Sequence, residues 1–246
     1  MDTQTIILVL SIFFISSFLK GLTGLGFSTI CLGILATFMD LKLAIPLVLL
    51  PSLYSNIVVM VQAGHFFEAL KRFWLLYLSA LPSLILGILF LANSQNEAPK
   101  VILGVVMFIY GVWALKNGIK QLSKRKEKQL LIPIGFVSGL VNGATGSQIM
   151  PIMPYLLSLN INREMFIQTI NIAFTFNTLI MMLGLGKLGV LTLSSVYVSL
   201  GGILPVILGI FLGALIRKKT SEGVDRKLVL FLLIGLGTNL VIQSFL

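Results

Sequence analysis

One lysine stands beside three glycines inside apolar sequence, in "FLKGLTGLGFST" at Phe18–Thr29. A second stretch of glycine and polar residues, "NGATGSQ" at Asn142–Gln148, lies in similar surroundings. Both hold what an anion site needs. Glycine lets the backbone approach a ligand closely. A helix that begins just after such a break presents unsatisfied N–H donors and about half a positive charge. Two such N-termini are expected, near Phe27 and Gln148. Lys20 adds a full charge, and Asn142 takes its place in the second stretch as a neutral donor. The expected substrate-binding residues here are Lys20, Thr23, Gly24, Asn142, Thr145, Gly146, Ser147 and Gln148. The plainer reading is that Lys20 snorkels to an interface.

Polar stripes extend the set. Gln168, Asn171, Thr175 and Thr178 recur at helical spacing and share one face, and Ser52, Ser55 and Asn56 do the same earlier in the chain. These faces suit a water-accessible path, so Asn56, Asn171 and Asn177 join the expected site. Hydrogen bonding between helices is the alternative. Gly184, Gly186, Gly189, Gly209 and Gly213 read as close-packing positions.

These residues need elements that hold them in oil. The chain is 57% hydrophobic and 11% charged over 246 residues, against about 25% charged in a soluble domain. Its apolar runs approach 20 residues and do not alternate, which excludes a barrel and points to an all-α polytopic membrane protein. The net charge of +10 sits in short loops, where it sets orientation and carries no nucleic-acid signal. Cys31 is the one cysteine, so no intrachain disulfide forms, and it reads as a small packed hydrophobe. "MDTQT" is acidic and polar, unlike the start of a secretory signal.

Ten apolar runs are visible. Six are expected to cross: Leu43–Val61, Phe73–Ala92, Val101–Leu115, Phe166–Leu185, Leu188–Ile216 and Leu228–Leu246. Four are short and paired around the breaks: Thr5–Leu19 with Phe27–Met39, and Leu130–Val141 with Ile149–Leu159. If each pair makes no net crossing, fourteen of the eighteen basic residues fall on one face, including the loops Lys120–Gln129 and Arg217–Lys227. Lys42, Lys100 and Lys187 fall on the other. The positive-inside bias selects that arrangement, with both termini outside. Charge does not separate two short crossings from a re-entrant hairpin, and length favours the hairpin.

The breaks are also copies. Gly21, Thr23 and Gly24 recur 122 residues later as Gly143, Thr145 and Gly146. Asn56 recurs as Asn177, and "LPSLILGI" at Leu81–Ile88 as "LPVILGI" at Leu204–Ile210. A two-fold repeat follows, with one transmembrane repeat at 1–119, a basic cytoplasmic linker at 120–129 and a second repeat at 130–246. Each holds one hairpin and three crossings. Three is odd, so the repeats are inverted, as in transporters whose sites form where broken helices meet near the midplane.

All eight acidic residues lie near span ends or in loops. That argues against a cation transporter and against the usual carboxylate proton relay. His65, the only histidine, has Glu68 three residues on as a local partner. Ser147 is the best nucleophile for a rival intramembrane hydrolase, but it lacks a base and an acid. "GLTGLG" lacks the spacing and βαβ context of a dinucleotide site.

"FLKGLTGLGFS" (Phe18–Ser28) and "GFVSGLVNGATGSQIMPIMPYLL" (Gly135–Leu157) resemble the signature of the TauE/SafE family, the sulfite-exporter-type membrane transporters. Gly21, Gly24 and Gly26 match its first glycine break; Gly139, Gly143, Gly146 and Pro151 fit the second. Asn142 and Ser147 stand where small residues or glycine are common. The resemblance covers essentially the whole chain. It implies transport of sulfite, sulfoacetate or a related organosulfur anion across the bacterial cytoplasmic membrane, and about eight transmembrane elements by the family's count. Export without a coupling ion is the expected direction; a proton-coupled importer and a non-transporting assembly or scaffold protein are the alternatives. The partners implied are a small anion and the lipid bilayer, with no nucleic acid, no cofactor, no metal and no enzymatic activity. Nothing in the sequence sets an oligomeric state.

Overall fold

The protein is described here from a computed structural model, which covers residues 2–23, 26–94, 97–116, 121–217 and 222–245. All regular structure among them is helical: α1 (Thr3–Thr23), α2 (Phe27–Leu35), α3 (Leu41–Ala63), α4 (Phe66–Asn93), α5 (Ala98–Leu115), α6 (Lys124–Thr145), α7 (Ile152–Leu157), α8 (Arg163–Lys187), α9 (Leu193–Gly201), α10 (Ile203–Arg217) and α11 (Glu222–Gln243). Six spans among the described residues are long and apolar enough to cross a membrane: α1, α3, α4, α5, α8, and α9 with α10 as Leu193–Ile216. The chain is a multi-pass membrane protein. Its surface agrees with that. Trp74, Leu78, Ile85, Leu183 and Phe211 are exposed, whereas Ser17, Asn56, Gln168 and Asn171 are buried. Apolar side chains face outward and polar ones inward, the order that lipid favours.

The spans differ from the sequence expectation in three places. Thr5–Leu19 is not a short arm: α1 continues through Lys20 to Thr23 and has 21 residues, about 31 Å of helix. Lys20 stays in the helix because its ammonium finds acceptors on α3. The return arm is shorter than Phe27–Met39, with α2 ending at Leu35. The span expected at Leu188–Ile216 begins later, at Leu193, and runs on through Gly202, which keeps right-handed helical geometry and lies so close to the Phe13 ring that an added Cβ would sit 2.3 Å from it. The last expected span, Leu228–Leu246, falls on α11, which has 22 residues. In the expected linker 120–129, helix begins at Lys124, capped by the Ser123 hydroxyl, which accepts from the Lys126 N–H.

The second pair, α6 with α7, starts and ends on one face. Leu122, before α6, donates its N–H to Ser158 O, after α7, at 2.8 Å. Tyr155 Oη on α7 donates to Glu127 O on α6 at 2.8 Å. Arg72, at the start of α4, pairs with Glu127 at 2.8 Å. These ends define the basic face. At the other face Lys42, at the start of α3, donates to Ala92 O and Ser94 O at the end of α4.

Two parallel helix pairs, α4 with α6 and α1 with α10, rest on glycine. A Cβ on Gly143 would lie 2.3 Å from Leu84 O, and one on Gly87 would lie 2.5 Å from Leu140 O. Likewise a Cβ on Gly21 would lie 2.5 Å from Ile210 O, and one on Gly213 would lie 2.2 Å from Phe18 O. Only glycine permits such backbone contact.

Candidate functional site

Lys20 is the centre of the site because it is a buried cation with no carboxylate. It is 7% exposed. Its Nζ donates to Ser55 Oγ at 2.9 Å and to Asn56 Oδ1 at 3.1 Å. The ion pairs among the described residues are His65–Glu68, Arg72–Glu127 and Lys100–Glu97, and Lys20 is in none. A buried charge held only by neutral dipoles is poorly compensated, and an anion would complete it. Asn56 adds a donor, since its Nδ2 is buried without a partner.

Local sequence explains how Lys20 is presented. α1 carries it in its last turn. The chain then reverses, and α2 starts from Gly26, whose φ of 93° is left-handed and favours glycine. Phe27, Ser28 and Thr29 form the first turn of α2 and are buried. Ser28 Oγ bonds Ser52 Oγ at 2.7 Å, and Thr29 Oγ1 bonds Ser147 Oγ at 3.2 Å.

A cavity of about 10 Å³ lies here, lined by Lys20, Gly26, Ser28, Thr29, Asn56, Gln148, Asn171 and Phe174, among others. That is about the room one water needs. On its other side Lys20 lines a vestibule of about 780 Å³. The vestibule runs between the ends of α3, α7 and α10 and the start of α8, with Arg163 and Glu164 at its lining. Those ends belong to the basic face. Lys20 therefore separates a broad vestibule from a small polar cavity.

Other expected residues gather less completely. Gln148 and Asn171 reach the small cavity. Gln148 Nε2 donates to Thr178 Oγ1 at 3.0 Å, tying the second break to the α8 stripe. Thr23 lines the vestibule, and its hydroxyl donates to Leu19 O at 2.9 Å. Asn142, Thr145 and Ser147 bond mainly within their own break. Asn142 Nδ2 donates to Ser147 O at 3.3 Å, and the Ser147 N–H donates to Thr145 Oγ1 at 3.1 Å. Gly146 has φ 71° and is packed under Leu32 and Ile45, whose nearest atom would lie 2.6 Å from an added Cβ. It caps α6 and offers no open ligand approach. Asn177 is buried on α8 but lines neither cavity. Gly24 lies outside the described residues.

The expected helix start at Gln148 is corrected. α7 begins at Ile152 and has six residues. Pro151 disfavours the helical region for the residue before it, which fits a helix start after the proline. Only the first break supplies a helix N-terminus of useful length. The stripe on α8 is divided. With its amide nitrogen turned toward them, Gln168 donates to Met60 O at 2.7 Å and Gly64 O at 2.9 Å. It works as helix-to-helix glue, whereas Asn171 faces the cavity. Sequence reasoning passed over Ser28 and Thr29 as site residues. The phase of α2 was the available signal: Ser28 and Thr29 stand in the first turn after a glycine break. His65 and Glu68 do pair, at 3.2 Å, in an exposed position.

Among the described residues no group of three or more histidine, cysteine or acidic side chains is placed to hold a metal. The geometry suits a single small anion reaching a lysine through an open vestibule. No curated protein and no solved structure matches the chain. The family described as Sulfite exporter TauE/SafE matches residues 8–240, and the chain belongs to that family of membrane transporters.

Proposed function

We propose that this protein moves a small sulfur oxyanion, sulfite or a short sulfonate, outward across the bacterial cytoplasmic membrane, with Lys20 as the group that holds the anion. One observation carries the reading: Lys20 is buried on neutral partners where the vestibule meets the polar cavity. Asn56, Ser28, Thr29, Gln148 and Asn171 complete a ring of neutral dipoles around the ligand. The small cavity is too tight for an oxyanion, so Lys20 and its neighbours shift as the substrate enters.

The basic face is cytoplasmic in this reading and both termini are outside, by the fourteen-to-three division of basic residues. The vestibule then opens to the cytoplasm, and the described state is inward-facing. We read the halves 1–119 and 130–246, joined by 120–129, as inverted repeats. Support comes from the glycine contacts. Gly213 meets Phe18 O, Gly21 Cα and Leu22 N. Gly87 meets Leu140 O, Gly143 Cα and Ala144 N, the same atoms 122 residues on. The alternating-access motion would be a tilt of one half against the other.

An inside-negative potential drives anion exit by about 2.3 kcal/mol per charge per 100 mV, so no coupling ion is needed. The test is flux in reconstituted vesicles with an imposed potential, using sulfite, sulfoacetate, thiosulfate and chloride. The reading expects flux of the sulfur anions that follows the potential. Flux that ignores the potential, or no flux of any of them, would overturn it. Orientation is checked by Ser123→Cys in a Cys31→Ser background, which should resist an impermeant thiol reagent in intact cells.

A further inference from the structure

The vestibule has a chemistry of its own that transport of a compact oxyanion does not use. Its volume, about 780 Å³, falls in the range of pockets that enclose a drug-sized organic molecule. Much of its wall is apolar, with Val59, Leu157, Leu159, Phe166, Ile167 and Ile210 contributing beside the polar Thr23 and Gln62. At its inner end stands the Lys20 ammonium. Arg163 and Glu164 also line it and carry opposite charges, which leaves Lys20 as the unbalanced charge among its described lining residues. Beyond Lys20 the space closes to about 10 Å³. A small anion needs neither the volume nor the apolar walls.

We propose that the vestibule is a binding site for an amphipathic organic anion, a sulfonate with an apolar tail, which docks from the basic face and blocks the transporter without being carried. The head group sits on Lys20 and the tail lies along Val59 on α3, Leu157 on α7, Ile167 on α8 and Ile210 on α10. Each methylene buried there strengthens binding, and the narrowing beyond Lys20 stops passage. Tail burial between α7, α8 and α10 also holds these elements in the described arrangement, so the ligand favours the state open to the basic face. This inference rests on the reading of Lys20 as the anion-holding group.

The experiment is direct binding to the purified full chain in a neutral detergent, with methane-, butane- and octanesulfonate below their aggregation limits. Octyltrimethylammonium and an octyl glucoside serve as tail-matched controls. Affinity should rise by about fourfold for each methylene that becomes buried, and the two controls should bind at least tenfold more weakly than octanesulfonate. Ile167→Gln and, independently, Val59→Gln should flatten the chain-length slope. Lys20→Ala should remove the preference of octanesulfonate over its cationic control. Equal binding of the controls would mean simple partition into an oily surface and overturn the proposal. So would octanesulfonate binding no more tightly than methanesulfonate. If the slope appears but no sulfur anion is transported, the site stands and the transport reading falls. If sulfite is transported and the slope is absent, the transport reading stands and the site falls.

Discussion

The two glycine breaks begin from nearly the same letters and end in different states. In the first, α1 runs its full 21 residues and leaves a buried lysine whose contacts are all on another helix. In the second, the polar groups close on one another. Thr145 Oγ1 donates to Val141 O at 2.7 Å, accepts from the Ser147 N–H, and Asn142 caps Ser147 O. Gly146 finishes α6 under apolar side chains, and six residues of α7 return the chain to the basic face. The first break leaves its lysine buried on neutral partners. The second bonds mainly within itself, with Asn142 Oδ1 buried without a partner, and braces the first through Ser147 on Thr29 and Gln148 at the cavity. The two stretches share Gly21/Gly143, Thr23/Thr145 and Gly24/Gly146 but differ at four other positions, and in our reading lysine against asparagine, at Lys20 and Asn142, decides which break meets the substrate.

The harshest way to break this comparison is to reverse the charge. Lys20→Glu sets like charge beside the anion, about 4 kcal/mol at 4 Å in an effective dielectric of 20, on top of the lost hydrogen bonds. Affinity for sulfite, read from concentration-dependent flux, should fall beyond ~100-fold. A loss of less than ~10-fold would mean that the anion sits elsewhere.

The next test asks whether the breaks are interchangeable. Lys20→Asn with Asn142→Lys moves the cation to the second break. The account expects no rescue, because Asn142 is 1% exposed and lines neither cavity. Affinity should stay at least ~10-fold below the native value. Recovery to within about twofold would show that the two breaks share the ligand equally.

The smallest effect belongs to the brace. Ser147→Ala removes the 3.2 Å contact with Thr29 and should lower stability by about 0.5–1.5 kcal/mol, measured by thermal unfolding in detergent. A double cycle with Thr29→Ala should return a coupling of the same order. Additivity of the two substitutions would mean the breaks do not support one another at this point.

Much of the fold was legible before any coordinates. Hydropathy marks α3, α4, α5, α8 and the α9–α10 span, and the placement of lysine and arginine matches the face that Leu122, Ser158 and Arg72 share. What hydropathy missed depends on contacts between distant residues. "KGLT" reads as a loop because glycine and lysine are poor company in an apolar helix, yet Ser55 and Asn56 on α3 keep Lys20 helical. Gly202 looks like any membrane glycine until Phe13 presses on it. Gly146 suggests an open backbone, and only tertiary packing brings Leu32 and Ile45 over it. The repeat alignment itself slips: "LPSLILGI" and "LPVILGI" pair Gly87 with Gly209, whereas Gly213 takes the matching contacts, one helical turn along.

The central claim is that Lys20 holds the anion, and affinity in the neutral variant tests it most directly. Lys20→Ala removes a charged hydrogen-bond donor worth about 1.5–3 kcal/mol to an anionic partner. Sulfite flux measured against concentration in reconstituted vesicles should show affinity at least ~10-fold weaker, with the protein still folded and inserted. Native affinity for every anion tested in that variant would contradict the account and leave Lys20 a structural anchor between α1 and α3.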